Sequence, residues 1–280
     1  MAAPRPRPQP VDDADARERE LDDGRMPFLE HLQELRVRFR NAAIFFFLGF
    51  VASWFFAEDI YAWLHEPLQR AWGKHPKLGE MATMNFGSIV EPFWVYVSVA
   101  LWAGIFVSSP FIFHQLWKFV APGLYKRERK VGVFFAIASA FFFIAGALFC
   151  YYVVLERLFE FLLGYAGDRL HPTLFMREYL DFTRNMMLAF GAVFELPVLI
   201  YFLARVGLVT HKSLWKFNRW FIVLAFILGA VLTPSPDVVS QVLMALPMIV
   251  LYNLSIVVAY FVGKQRDQAA AAFGGTPPAA

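Results

Sequence analysis

Six runs of this chain carry almost no charge, and each is long enough to cross a lipid bilayer: 41–57, 93–117, 131–155, 185–204, 220–236 and 238–263. A helix needs roughly 17 to 25 predominantly apolar residues to span hydrocarbon, where no water satisfies an open backbone. A soluble fold of 280 residues has no way to cover six such runs. Composition agrees, since charged residues make up 18% of the chain and apolar ones 58%, whereas soluble domains carry about a quarter charged. The predicted fold is an all-α polytopic membrane protein with six transmembrane helices.

The flanks differ from the spans. Residues 1–25 alternate Pro with Arg and then turn acidic, with almost nothing apolar to bury, which predicts a disordered arm. It has no apolar core or cleavage site of the kind a signal peptide needs. Residues 264–280 read as a second disordered tail, leaving 26–263 as the membrane domain. Between arm and first span, Phe28, Leu32, Leu35 and Phe39 recur at helical spacing, predicting an amphipathic helix lying in the interface. Of the 26 Lys and Arg, 19 fall on the side holding both termini and the loops 118–130 and 205–219. Short basic loops stay in the cytoplasm, so both termini are expected there. That distribution accounts for the net charge of +3 without a nucleic-acid partner.

Pro110, Pro197 and Pro247 lie inside the three even-numbered spans, where each removes a backbone hydrogen bond. Bends at alternate helices would give a concave, cupped wall. The fifth and sixth runs form a tight hairpin, with Ser235 as expected helix cap, Pro236 first in the helix and Asp237 in its first turn. The apolar core of the fifth is about 14 residues, or about 21 Å, so the bilayer is expected to thin beside it.

Glu195 is the only charge in its run and the membrane residue most in need of a reason. An isolated carboxylate there costs a few kcal/mol unless it pairs, faces a cavity or stays protonated. It serves either a partner or substrate contact, or a hydrogen bond to a neighbouring helix through Gln241. Glu34 lies one turn before Arg38, so a solvated ion pair is the plain alternative to a binding role. Glu128 sits among Lys126, Arg127, Arg129 and Lys130, which either present it or merely neutralise it. Asp237 reads equally as a cap. The lone Cys150 excludes an internal disulfide and reads as a buried apolar side chain. There is no phosphate-binding loop, no HExxH and no GxSxG, so ATP and peptide hydrolysis have no recognisable route, and no cofactor or metal is expected.

HLQELRVRF (31–39), SPFIFHQLWKFVAPGLYKRER (109–129), FGAVFELPV (190–198) and TPSPDVVSQVLMALPM (233–248) resemble, in order, the motifs of the TatC family, the receptor subunit of the twin-arginine protein translocase. The resemblance covers about 26–263. It implies a non-enzymatic, six-helix receptor for signal peptides bearing paired arginines, oligomeric in its complex and working with single-span TatA- and TatB-type proteins. It also implies export of folded proteins across the inner membrane on the proton-motive force. By position, Glu34 and Glu128 match the acids that receive the arginine pair, and Arg36, Phe119 and Pro67 match other functional positions. Glu195 matches the intramembrane glutamate of partner contacts, while Asp237 and Gln241 match polar positions near the last hairpin. The TPSPD turn is one residue longer than the family's usual form. Two other classes compete with this reading. One is a proton-coupled solute transporter with Glu195 as relay, and the other is a scaffold in which the cytoplasmic acids are dispensable.

Overall fold

The structure, a computed structural model, describes residues 13–78, 82–120, 129–166, 172–232 and 237–272, with side chains described from His31 to Gln265 outside the gaps and residues 77 and 129–131. Helix α1 runs without interruption from Asp13 to Trp54. The amphipathic stretch and the first span are therefore one helix, not an interfacial helix followed by a separate span. Leu32, Leu35 and Phe39 of the predicted stripe are all exposed on it. At Trp54 the chain turns, and α2 (Ala57–Gly73) leaves at 82° to the axis of His31–Trp54.

A 3-10 turn (Pro76–Leu78) and a short strand β1 (Met84–Asn85) lead into α3 (Glu91–Val120). The third span is α4 (Arg129–Phe149), a π-helical turn (Cys150–Leu155) and α5 (Glu156–Leu163) in sequence. Strand β2 (Leu174–Phe175) then pairs in parallel with β1, Met84 against Leu174 and Asn85 against Phe175. The fourth span is α6 (Met176–Phe194) and α7 (Leu196–Val206), broken at Glu195. Helices α8 (His211–Leu232) and α9 (Val238–Ala272) complete the bundle. Five segments are each long and apolar enough to span, and α1 passes the same test only when counted together with α2, which is turned away from it by 82°.

Local chemistry sets these ends. Gly207 has φ 88, which glycine adopts without strain, and it closes α7 as the Leu208 N–H reaches the Leu203 carbonyl at 2.9 Å. Three residues later Thr210 Oγ1 accepts the Ser213 N–H at 3.3 Å, while Ser213 Oγ accepts the Thr210 N–H at 3.2 Å. This reciprocal cap starts α8 at His211, nine residues before the apolar run. Asp237 is placed to cap α9: its Oδ1 accepts the Ser240 N–H at 2.7 Å, three residues into the helix. Residues 233–236, with Ser235 and Pro236, lie outside the described residues.

Of the three interior prolines, only Pro197 accompanies a break in its helix. Pro110 deprives the Phe106 carbonyl of its partner, and the Ser109 hydroxyl donates to that carbonyl at 2.7 Å. Helix α3 stays unbroken there, as α9 does through Pro247.

Close approach of helices is built on glycine. A Cβ on Gly104 of α3 would lie 2.7 Å from the Phe50 nitrogen of α1, and one on Gly146 of α4 would lie 2.6 Å from the Phe190 carbonyl of α6. The main core, around Tyr151, Leu155, Met186, Phe190 and Met248, joins α2, the third and fourth spans, α8 and α9. Cys150 is fully buried within it.

Candidate functional site

Three of the sequence's candidate positions are Glu34 and Arg36 on α1 and Phe119 in the last turn of α3. Glu34 of α1 accepts from Arg38 one turn on, Nη2 to Oε1 at 2.9 Å and Nε to the same oxygen at 3.3 Å. The ion-pair arrangement is therefore the resting one. Both side chains are partly exposed, so the pair contributes under about 1 kcal/mol. Oε2 of Glu34 takes no hydrogen bond among the described residues, which leaves a carboxylate edge open to an incoming guanidinium.

Phe119, in the last turn of α3, stacks on His31 of α1 with ring centroids 4.4 Å apart and planes 16° apart. His31 precedes Glu34 by three residues, so the two share one face of α1. The stack fixes the end of α3 beside the Glu34 turn. Arg36, two residues beyond Glu34, is exposed. Glu128 lies outside the described residues, in the connection between Val120, which ends α3, and Arg129, which begins α4.

Glu195 stands at the α6–α7 break, inside the bundle. Trp117 of α3 donates from Nε1 to Ser139 Oγ of α4 at 2.9 Å, and the Ser139 hydroxyl is in hydrogen-bonding range of the Glu195 carboxyl. A hydroxyl that accepts from an indole keeps its own proton to donate, so the chain of polarity ends on Glu195. Trp117 is itself clamped by Phe135 at 4.7 Å and Phe202 at 4.8 Å. Oε1 of Glu195 is buried without a partner among the described residues. The alternative of a bond from Glu195 to Gln241 is not met among the described residues; Gln241 lies in the first turn of α9, its backbone carbonyl 3.2 Å from where a Cβ on Gly229 of α8 would sit.

Pro67 belongs to the opposite end. It is fully buried inside α2 and leaves the Trp63 carbonyl without a helical donor. Tyr151 supplies that donor at 2.6 Å, and Tyr179 adds a hydrogen bond to the Leu64 carbonyl at 2.7 Å. Nearby, Lys74 Nζ joins Glu156 at 2.9 Å and Glu160 at 3.0 Å, bonds that raise its pKa. Pro67 thus fixes how α2 lies across the ends of the spans. No three His, Cys, Asp or Glu side chains converge on a metal-sized site among the described residues.

With this geometry in hand, residues 30–247 match the family described as Sec-independent protein translocase protein (TatC). The chain belongs to the TatC family. The TatC protein of Desulforapulum autotrophicum is 41% identical over 241 residues, 86% of this chain and 87% of that protein. That of Aquifex aeolicus is 36% identical, over 85% and 95% respectively. A crystal structure of the twin arginine translocase receptor TatC aligns with a TM-score of 0.72 at 33% identity, covering 83% of this chain and 99% of that one.

Three partners in this TatC-family chain were not readable from sequence. His31 beneath Phe119, Ser139 beside Glu195 and Tyr151 beside Trp63 each join residues at least 56 positions apart. The proline at 67 was the one available hint, because the carbonyl it frees requires an outside donor.

Proposed function

We propose that this chain is the signal-peptide receptor and core subunit of a twin-arginine translocase in the inner membrane, with both termini cytoplasmic. Glu34 and Glu128 receive the arginine pair, with Arg36 and Phe119 shaping the surroundings. The observation that carries this reading is the shared location of Glu34 and the His31–Phe119 stack, at the head of the short connection that holds Glu128.

Two neighbouring arginines need two separated acceptors, and here the acceptors come from different segments. A guanidinium binds a carboxylate through two parallel N–H bonds, a geometry that lysine does not reproduce. Arg38 holds Glu34 only through Oε1, so exchange for a signal arginine replaces one exposed pair with another. The basic residues around Glu128 keep that acid ionised and disfavour cargo that is merely basic.

Glu195 is the contact for a polar group on the span of a TatA- or TatB-type partner, and Gln241 is a second polar position for such a contact. A hydrogen bond of that kind between membrane helices contributes about 1–2 kcal/mol. Folded cargo then crosses on the proton-motive force. Residues 1–25 and 264–280 flank the six-helix domain, with α1 starting at Asp13 and α9 running on to Ala272.

The direct test is binding of a labelled twin-arginine signal peptide to the purified protein in nanodiscs, beside its twin-lysine counterpart. Binding of the arginine form alone is expected. Equal binding of the two, or of neither, removes the receptor assignment.

A further inference from the structure

Where α3 and α6 begin, the molecule opens a cleft of about 480 Å³ that none of the receptor residues lines. The β1–β2 pairing draws the two segments leading into these helices together, so the cleft is a built feature of the bundle end that carries α2. Its wall has four charges: Glu91 from α3, and Arg177, Asp181 and Arg184 from α6. Its floor is apolar, formed by the buried Val95 and Leu180, and Trp94 stands 63% exposed beside it.

The charges are unequally committed. Arg184 bonds Asp181 at 2.8 Å, donates from Nε and Nη2 to Asn185 Oδ1 at 3.2 and 3.1 Å, and lies over the Trp102 ring at 4.9 Å, so it is the more committed of the two cations. Arg177 is different. Its side chain is 76% exposed, its nearest carboxylate oxygen, on Asp181, is 3.8 Å away, and it makes no hydrogen bond among the described residues. Glu91 accepts the Gly87 N–H through Oε2 at 2.7 Å, which leaves its second oxygen to a ligand.

We propose that this cleft binds the zwitterionic phosphoethanolamine headgroup of a membrane phospholipid. The phosphate sits on Arg177 and Arg184, and the ammonium donates to Glu91 and Asp181. Two guanidiniums and two carboxylates balance, so an anionic headgroup would meet unmatched acids. A trimethylammonium headgroup has the right charge but no N–H to donate to them. The acyl chains leave over Trp94 and the exposed Ile89, Val90 and Phe93, an apolar rim of the kind found where membrane proteins meet the interface.

The test is native mass spectrometry of the full-length protein in detergent with equimolar dioleoyl phosphatidylethanolamine, phosphatidylcholine and phosphatidylglycerol. Retention of the ethanolamine lipid at least about fivefold above the other two is expected, the difference one or two charge-assisted hydrogen bonds make. Arg177→Gln, an exposed position with one loose ion pair, should abolish the preference while leaving thermal stability unchanged. Ser98→Phe should reduce retention by filling the cleft. Equal retention of all three lipids, a preference for phosphatidylglycerol, or an undiminished preference in Arg177→Gln overturns the proposal. Displacement of the lipid by millimolar soluble phosphoethanolamine overturns it too, because that result makes the cleft a small-molecule site.

Discussion

Tyr151 donates to the Trp63 carbonyl at 2.6 Å, and the two rings stack with centroids 4.0 Å apart. Pro67 lies four residues after Trp63 and has no N–H to give that carbonyl, so a side chain 88 positions away does the work of the missing backbone donor. Tyr151→Phe keeps the stack and removes the bond, and it should lower stability in detergent by about 1–2 kcal/mol. In a Pro67→Ala background the restored N–H satisfies Trp63, so the same change should cost less. A double-mutant cycle by thermal unfolding reads this coupling directly.

Helices α1 and α3 touch through backbone at Gly49 and Gly104. Gly104→Ala pushes a methyl group into the Phe50 main chain and should destabilise by about 1–3 kcal/mol. Gly263→Ala meets open space and should leave the melting temperature unchanged, serving as the paired control.

How much of this was legible in advance depended on whether the cause was local. The six spans could be read because absence of charge over roughly 20 residues is a property of the run itself. Glu195 stood out for the same reason. The bend at Trp54 could not be read, since residues 41–57 look like one span until α2 is seen turning away by 82°. The uninterrupted α3 was hidden too, because Ser109 repairs what Pro110 breaks. On α9 the reading of Asp237 as a cap is met by its carboxylate, which reaches the Ser240 N–H. Of the proposed arginine reader, the acids were visible in sequence, but the His31–Phe119 stack beside Glu34 was not.

Asp237 separates a cap from a charge. Asp237→Asn retains an oxygen for the Ser240 N–H and should keep stability, while Asp237→Ala should lose about 1 kcal/mol. Export assayed in both variants tells the roles apart. Normal export in Asp237→Asn assigns the residue to the helix end alone.

His65, on α2 outside the spans, has its pKa lowered from 6.5 by burial. Its Nδ1 lies 3.4 Å from Gln69 Nε2, and its Nε2 is buried without a partner among the described residues. The unfolded chain therefore binds the proton more readily than the folded one. Stability from this group is complete above pH 6.5 and declines as pH falls below it. His65→Gln should flatten that slope in melting curves taken between about pH 7 and 5.

The central claim is that Glu34 and Glu128 together read an arginine pair. Its most direct measurement is site-specific crosslinking of a twin-arginine signal peptide to the protein in membranes, comparing the native chain with Glu34→Ala and Glu128→Ala. Each variant should lose at least about tenfold of the crosslink, as expected when a charge-assisted bidentate bond is removed, and the twin-lysine peptide should fail with all three proteins. Native-level crosslinking of the twin-arginine peptide in both variants would contradict the account.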